Sequence, residues 1–582
     1  MRARIREIGR EPLGKVLAAA LILRVTGLFW GLPASDGWDD DGVAPRDFLA
    51  GLLMTYWPGH HYIYPPLQLI VLTVVSAPAW IAALIAAPSL EPQAVIRAFI
   101  QVPTMTALTI VARATTAAMS LGLLWNVAKI GEDLRGSRRA GAWTAAACGA
   151  NAVFTYYSQT SNLDVPYLFW AILALRAFVR AIAHRDFRTL RRVPVLAAMA
   201  VATKDQAYAL FVIGVPLATA AWLVIDQEAR SHAHAIVERL ATGAALGIAL
   251  LLTIDGAIWN KAGFAARMNL LLGAASQDHA YYAKTWVGRA YAFRDSLLVF
   301  HEYYPWIFAP LVVIGVIVAL RAPDGARRSA GIVPLCFAVS FTIAFNMAAR
   351  RTEHRFVLPQ MIMWGLYVGL AMDALHEHFE PALGRAAWLL ATPFFAAALF
   401  RCASVDVAMI FDPRYDAERW MRAHAASGDS VEVYGNNVHL PRFPWIERIQ
   451  RVEPTPTEGR NPLPGVVEVS ARFSDIETRR PRFVVVPAFW AERYLVDRAA
   501  TERDGRVLTP EESRLQGDAD SRGYFAALRD GRLNYRWAHL STWESRIWPR
   551  VDIHASLTRD VWIFERQELG PPAPHPKYGA FR

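Results

Sequence analysis

The chain has 582 residues, 54% of them hydrophobic and only 19% charged, with a mean hydropathy of +0.21. An average soluble domain carries about 25% charged residues, so this composition argues against a wholly soluble protein and for a polytopic membrane protein. The net charge of +10 does not call for nucleic acid, because much of the basic excess sits in short loops between apolar runs, where positive-inside topology places it.

The N-terminal MRARIREIGREPLGK is basic and runs into VLAAALILRVTGLFWGLPA. A cleaved signal peptide has this pattern. Arg24 interrupts the apolar run, however, and more spans follow, so a retained first helix with a cytoplasmic N-terminus is expected. Apolar runs near membrane-spanning length, about 17–25 residues, lie near 16–34, 67–87, 103–128, 140–158, 164–183, 193–203 with 205–225, 240–259, 303–320, 331–348, 356–373 and 386–404. The expected total is roughly 11–13 spans. Residues 67–87 and 103–128 must together cross an odd number of times, which makes one of them a candidate re-entrant or interfacial segment. The three cysteines, Cys148, Cys336 and Cys402, all fall in apolar runs with no CxxC pair, which speaks against a disulfide framework or a zinc ribbon.

Basic loops assign the sides. KIGEDLRGSRR (129–139), AHRDFRTLRR (183–192) and RAPDGARR (321–328) are expected in the cytoplasm. The acidic loop 35–65, YYSQTSNLD (156–164), the loop 260–302 and RRTEHR (350–355) are then outside. The last assignment defies the charge rule. Either a span is misplaced, or arginines are held outside for a reason such as an anionic ligand. Beyond residue 404, DAERWMRAHA has helical spacing, while SVEVYG and RFVVVPAFW read as strands. The chain therefore divides into a membrane domain, 1–404, containing the outer loop 35–65, and an extracytoplasmic α/β domain, 405–582.

Five elements could carry chemistry. In PASDGWDDDGVAPRD (33–47), Asp36 and Asp39–Asp41 follow the first span, and a carboxylate there could take a proton from an acceptor or bind a divalent metal, magnesium or manganese, through oxygen ligands. A solvated acidic loop is the plainer reading. HHYIYPPLQLI (60–70) has the aromatics of an interface and a proline start to a helix, and its His60–His61 pair is a weak ligand signal. Asp164, followed by Val165-Pro166, is a candidate site residue and equally a good helix start. Lys204 in ATKDQAYAL (202–210) lies in an apolar region, where a lysine either faces a ligand such as phosphate or snorkels. Charges at that point suggest a broken helix lining a cavity. Finally, Arg350, Arg351, His354 and Arg355 form a basic cluster abutting a span, and arginine's planar fork suits phosphate. No GxGxxG, Walker A, HExxH or GxSxG element stands in a supporting context.

Taken in order, these elements resemble the GT-C class of integral-membrane glycosyltransferases, in particular the branch of protein mannosyltransferases and lipid A aminoarabinose transferases. The matching pieces are the acidic loop GLPASDGWDDDGVAPRDFLAGL, Tyr64-Pro65-Pro66-Leu67, Tyr156-Tyr157-Ser158 with Asp164-Val165-Pro166, Thr203-Lys204, RTEHRFVLP and DPRYDAERWMRAH. The acidic pair here reads Asp40-Asp41, where Asp-Glu is commoner in the class. The resemblance implies a multi-pass enzyme of the inner membrane that moves a sugar, with inversion, from a polyprenyl-phosphate donor to a hydroxyl or amine of a lipid, glycan or protein. Asp40 or Asp41 would be the base, leaving Asp36, Asp39 and Asp47 as loop charge, with Asp164 on the acceptor side or at a metal. Lys204, Arg351, His354 and Arg355 would face the phosphate, and Tyr64 and Tyr157 would line the substrate. A transporter or flippase of lipid-linked sugars also has broken helices and intramembrane charges, but it needs no outer domain and usually shows internal repeats, which are absent here. A non-catalytic envelope assembly protein is the third reading.

Overall fold

The computed structural model describes residues 12–39, 41–273, 277–454, 463–495, 505–553 and 557–567. The chain forms two compact units. The first comprises residues 1–28, 42–81 and 110–406, and the second comprises 29–41, 82–109 and 407–582. Residues 29–41 and 82–109 group with residues 407–582 in the second unit.

The chain is a polytopic helical membrane protein with a C-terminal α/β portion. Among the described residues, eight helices are long and apolar enough to cross a membrane, or up to ten if each of two bent pairs counts as one span. The lower count has a local cause. Asn151 splits the run at 140–158 into helices Arg138–Gly149 and Ala152–Tyr157, its side chain capping the second through Phe154 N at 2.8 Å. The run at 193–203 forms helix Arg192–Val201. At about 1.5 Å per residue, that helix reaches only half of a bilayer core. The run at 67–87 is a pair of helices, Leu67–Val75 and Ala77–Ala86, bent by 57°.

In the first unit the most enclosed span is His354–Leu383, with 94% of its apolar window buried. It packs along Arg138–Gly149 and Ala309–Leu320. Gly369 permits the first contact, since a side chain there would meet the backbone of Thr144. In lipid such close approach replaces the hydrophobic drive that water would supply.

The second unit contains a six-stranded sheet of β1 (Ser430–Val433), β2 (Arg448–Glu453), β3 (Val466–Ser470), β4 (Phe483–Pro487), β5 (Tyr535–Ser541) and β6 (Val561–Arg566), in the order β3-β2-β1-β4-β6-β5. The β3, β2, β1 and β4 strands are parallel, while β6 and β5 add antiparallel pairs. Strand β4 is buried along its whole length, as a central strand covered on both faces must be. One face packs on Phe473, Trp490 and Phe525, the other on Met421 and Phe443. The strand readings of SVEVYG and RFVVVPAFW correspond to β1 and β4.

Candidate active site

Three chain breaks in the first unit build one polar centre, and each is made by local sequence. The first is at Asp164, the opening residue of helix Asp164–Ala183. Its carboxylate does not cap the helix. Instead Oδ1 accepts from Lys204 Nζ at 2.8 Å, and both side chains are buried. The partner oxygen, Oδ2, has no hydrogen bond among the described residues.

Lys204 comes from the second break. Helix Arg192–Val201 ends, Lys204 takes an extended backbone (φ −154°, ψ 122°), and a short turn at Asp205–Ala207 restarts the helical path. Lys204 N still bonds Ala200 O at 3.0 Å, so the break costs few backbone hydrogen bonds. Behind it lies an ion-pair triad. Arg267 bridges Asp205 and Asp255, with its Nη1 3.2 Å from Asp255 Oδ2. Burial pushes the Asp255 carboxyl up to about 6, against the pull of Arg267 and reinforced by Asp205.

The third break lies between the spans Gly325–Arg350 and His354–Leu383. The first of these ends as a π-helix, Thr342–Arg350, closed by Arg350 in the left-handed region (φ 56°). Such wide turns are a recurring feature of functional sites. Asn346 staples the turn, donating from Nδ2 to Arg351 O at 2.9 Å and to Phe356 O at 2.8 Å. Gln360 Nε2 donates in turn to Asn346 Oδ1 at 2.5 Å.

The staple presents the buried ring of Phe356 to three cations. Arg351 Cζ lies 4.4 Å from its centroid, Arg355 Cζ 4.7 Å and Lys204 Nζ 5.7 Å. Each distance is within cation–π range, worth about 0.5–2 kcal/mol depending on exposure. Glu353 holds Arg351, with Nε to Oε1 at 2.9 Å.

Sequence-expected residues thus divide. Asp164, Lys204, Arg351 and Arg355 share one cluster around Phe356. His354 is paired with Glu302, and its backbone carbonyl accepts from Tyr303 Oη. Tyr157 is buried at 1% exposure, edge-on to Tyr156, and Tyr64 is half-buried, edge-on to Tyr62. Arg350 anchors the segment 277–282, donating to Tyr282 O at 2.5 Å and to Gln277 Oε1 at 2.9 Å. Asp40 lies outside the described residues. Asp41 belongs to the second unit and is exposed in the left-handed region (φ 59°). Among the described residues no group of three or more His, Cys, Asp or Glu is placed to hold a metal ion.

The other aspartates of 33–47 are not solvated loop charge. Asp36 accepts from Asn437 Nδ2 at 2.5 Å, Asp47 accepts from Tyr62 Oη at 3.0 Å, and Asp39 is 4% exposed. Trp38 between them donates to Leu440 O at 3.0 Å and lies under Arg414, 4.0 Å from the ring centroid.

Phe356, Glu302 and the Arg267 triad were not singled out by sequence. An aromatic in an apolar run gives no signal. Asp205, Asp255 and Arg267 are separated by two candidate spans, Asp205–Ile225 and Ala233–Ile254, and by the loop before helix Lys261–Leu272, and no spacing rule reaches across them.

No family model matches the chain, and no curated protein does. Among solved structures it is similar to ArnT from Cupriavidus metallidurans in the apo state, at 15% identity over 82% of this chain and 93% of that one, with a TM-score of 0.44. It is similar also to the oligosaccharyltransferase of Archaeoglobus fulgidus, at 11% identity over 96% of this chain and 89% of that one, with a TM-score of 0.47. A third similarity, to the protein O-mannosyltransferase complex Pmt1-Pmt2 of S. cerevisiae, covers 48% of this chain and 37% of that one, with a TM-score of 0.28 at 14% identity.

Proposed function

We propose that the chain is an inverting glycosyltransferase that uses a polyprenyl-phosphate-linked sugar on the outer face of the membrane. The observation that carries this reading is the convergence of Lys204, Arg351 and Arg355 on Phe356, beside the buried Asp164. All of these residues lie at ends of candidate spans, and the basic loops 129–139, 183–192 and 321–328 lie at the opposite ends. The positive-inside rule then puts the cluster outside. Three arginine or lysine heads kept outside against that rule have a use if the ligand is an anion.

A phosphate joined to a long apolar chain fits such a site. Arg351 and Arg355 offer planar forks to the phosphate oxygens, and Lys204 offers a point charge. The acceptor oxygen or nitrogen attacks the anomeric carbon, and the bond to the phosphate oxygen breaks. Negative charge grows on that oxygen, and the cations stabilise it where it forms. The proton leaves the acceptor for a carboxylate, assigned to Asp40 or Asp41 from their place after the first span. Asp164 holds and aims the Lys204 ammonium. His354, held by Glu302, supports the same turn. The C-terminal α/β portion is extracytoplasmic on this reading, and the acceptor is a lipid, glycan or protein.

The test is incubation of the purified full chain with a panel of radiolabelled polyprenyl-phosphate sugars and a membrane extract, with mass spectrometry of the product. Transfer of label with release of polyprenyl phosphate supports the reading. Flux of a lipid-linked sugar across liposomes with no transfer would instead establish a transporter.

A further inference from the structure

At one end of the sheet, where β1 and β4 begin, a cleft of about 750 Å³ is lined by Arg480, Arg482, Arg536, Arg566, Glu565 and Gln567. Cavities of this size hold small-molecule or headgroup ligands. The opposite end of the sheet, beyond β1, is taken by residues 36–38 through Asn437 and Leu440. The cleft is therefore separate from that contact.

Strand register builds the cleft. Arg536 on β5 stands opposite Glu565 on β6, and Glu565 stands opposite Phe483, the residue after Arg482. Glu565 takes Arg536 at 2.8 Å and Arg482 at 3.4 Å, and Arg482 also grips Asp429 at 2.7 Å. Those two guanidinium groups are thus largely compensated. Arg480 and Arg566 are not. Arg480 Nε donates to Glu477 O at 2.9 Å, and Arg566 Nη1 donates to Arg480 O at 3.2 Å. No carboxylate pairs with either among the described residues.

Two further features favour a ligand. Arg480 holds a left-handed backbone (φ 46°, ψ 50°) after helix Ile476–Arg479, a position that favours glycine. A long cation kept in such a conformation marks a functional constraint. Gln567 Oε1 is buried in the cleft lining and accepts no hydrogen bond among the described residues. An anion would satisfy the arginines, and a hydroxyl on the same molecule would satisfy the glutamine.

We propose that this cleft binds a phosphate ester that also carries hydroxyl groups, with the phosphate between Arg480 and Arg566 and a hydroxyl donating to Gln567. The chemistry is shared by sugar or glycerol phosphates and by the headgroup of a glycerophospholipid.

The test is titration calorimetry on the full chain in detergent at low ionic strength. The probes are glycerol 3-phosphate and the short-chain lipid dihexanoyl-phosphatidylglycerol. Arg480→Ala with Arg566→Ala is expected to weaken binding by about tenfold or more, since two charge-assisted contacts are lost. Glu565→Gln releases Arg482 and Arg536 and is expected to tighten it several-fold. Arg522→Ala, a charge change on helix Ala519–Arg529 outside the cleft lining, is expected to leave it unchanged. Binding of both probes would show that the phosphoglycerol group suffices. Binding of the lipid alone would show that the source is a membrane headgroup. The proposal is overturned if neither probe binds at millimolar concentration, if the double variant binds like the parent, or if Arg522→Ala weakens binding equally.

Discussion

Lys204 Nζ lies 2.8 Å from Asp164 Oδ1 across forty residues of sequence, with the aspartate fully buried. Removing one partner of a buried pair leaves an uncompensated charge and costs about 3–5 kcal/mol. Lys204→Met and Asp164→Asn should each abolish transfer and lower the unfolding temperature of the detergent-solubilised protein. The double variant Lys204→Met with Asp164→Leu should recover most of the stability and none of the activity. Recovery of both would show the pair to be purely structural.

Phe356 presents its ring to three cations. Phe356→Leu keeps the apolar volume and removes the quadrupole. The loss is about 0.5–1 kcal/mol for each partly exposed cation, so donor KM should rise several-fold with little change in kcat. Steady-state kinetics at varied donor concentration would reveal this, and an unchanged KM would rule out a donor-site role for the ring.

Burial pushes the Asp255 carboxyl up to about 6 in the folded protein, against the attraction of Arg267. Its folded pKa stands above the unfolded carboxylate value of about 3.9. The folded state therefore binds more protons between the two values, and stability is lost as pH rises from about 4 through 6. Asp255→Asn should remove this contribution. The difference in unfolding temperature between parent and variant should change across that window and be flat above about pH 7. A constant difference from pH 4 to 8 would contradict the assignment.

Trp38 is buried at 1% exposure and packs under Arg414 and Arg442. Trp38→Ala should cost about 3–5 kcal/mol of local stability. Residues 29–41 should then exchange amide hydrogens faster, while β4 stays protected. Hydrogen exchange read by mass spectrometry separates the two segments.

Members of the candidate cluster were legible because charge in an apolar run is itself a signal. Lys204 and Asp164 stood out in that way, and so did the arginines at 350–355. Their roles were less visible. Arg350 and Arg351 are neighbours of the same type, yet the left-handed residue anchors Tyr282 while the next faces Phe356. That split comes from a π-helix, which leaves no periodicity mark in the sequence. Hydropathy likewise could not show the break at Asn151 or the bend near Ser76, so the span count came out high. Asp36 looked like loop charge because its partner Asn437 is 401 positions away, and Asp39 because its burial leaves no mark in the sequence.

The most direct measurement is the release of free polyprenyl phosphate from a polyprenyl-phosphate sugar by the purified chain, compared with Arg351→Ala/Arg355→Ala. Held on Phe356, these arginines should stabilise the leaving phosphate, each contact being worth about 1.5–3 kcal/mol. The parent should release the lipid phosphate in step with product, and the double variant should do so at least about a hundredfold more slowly. Equal rates in the two proteins, or no release by the parent with any donor, would contradict a phosphate site at this cluster.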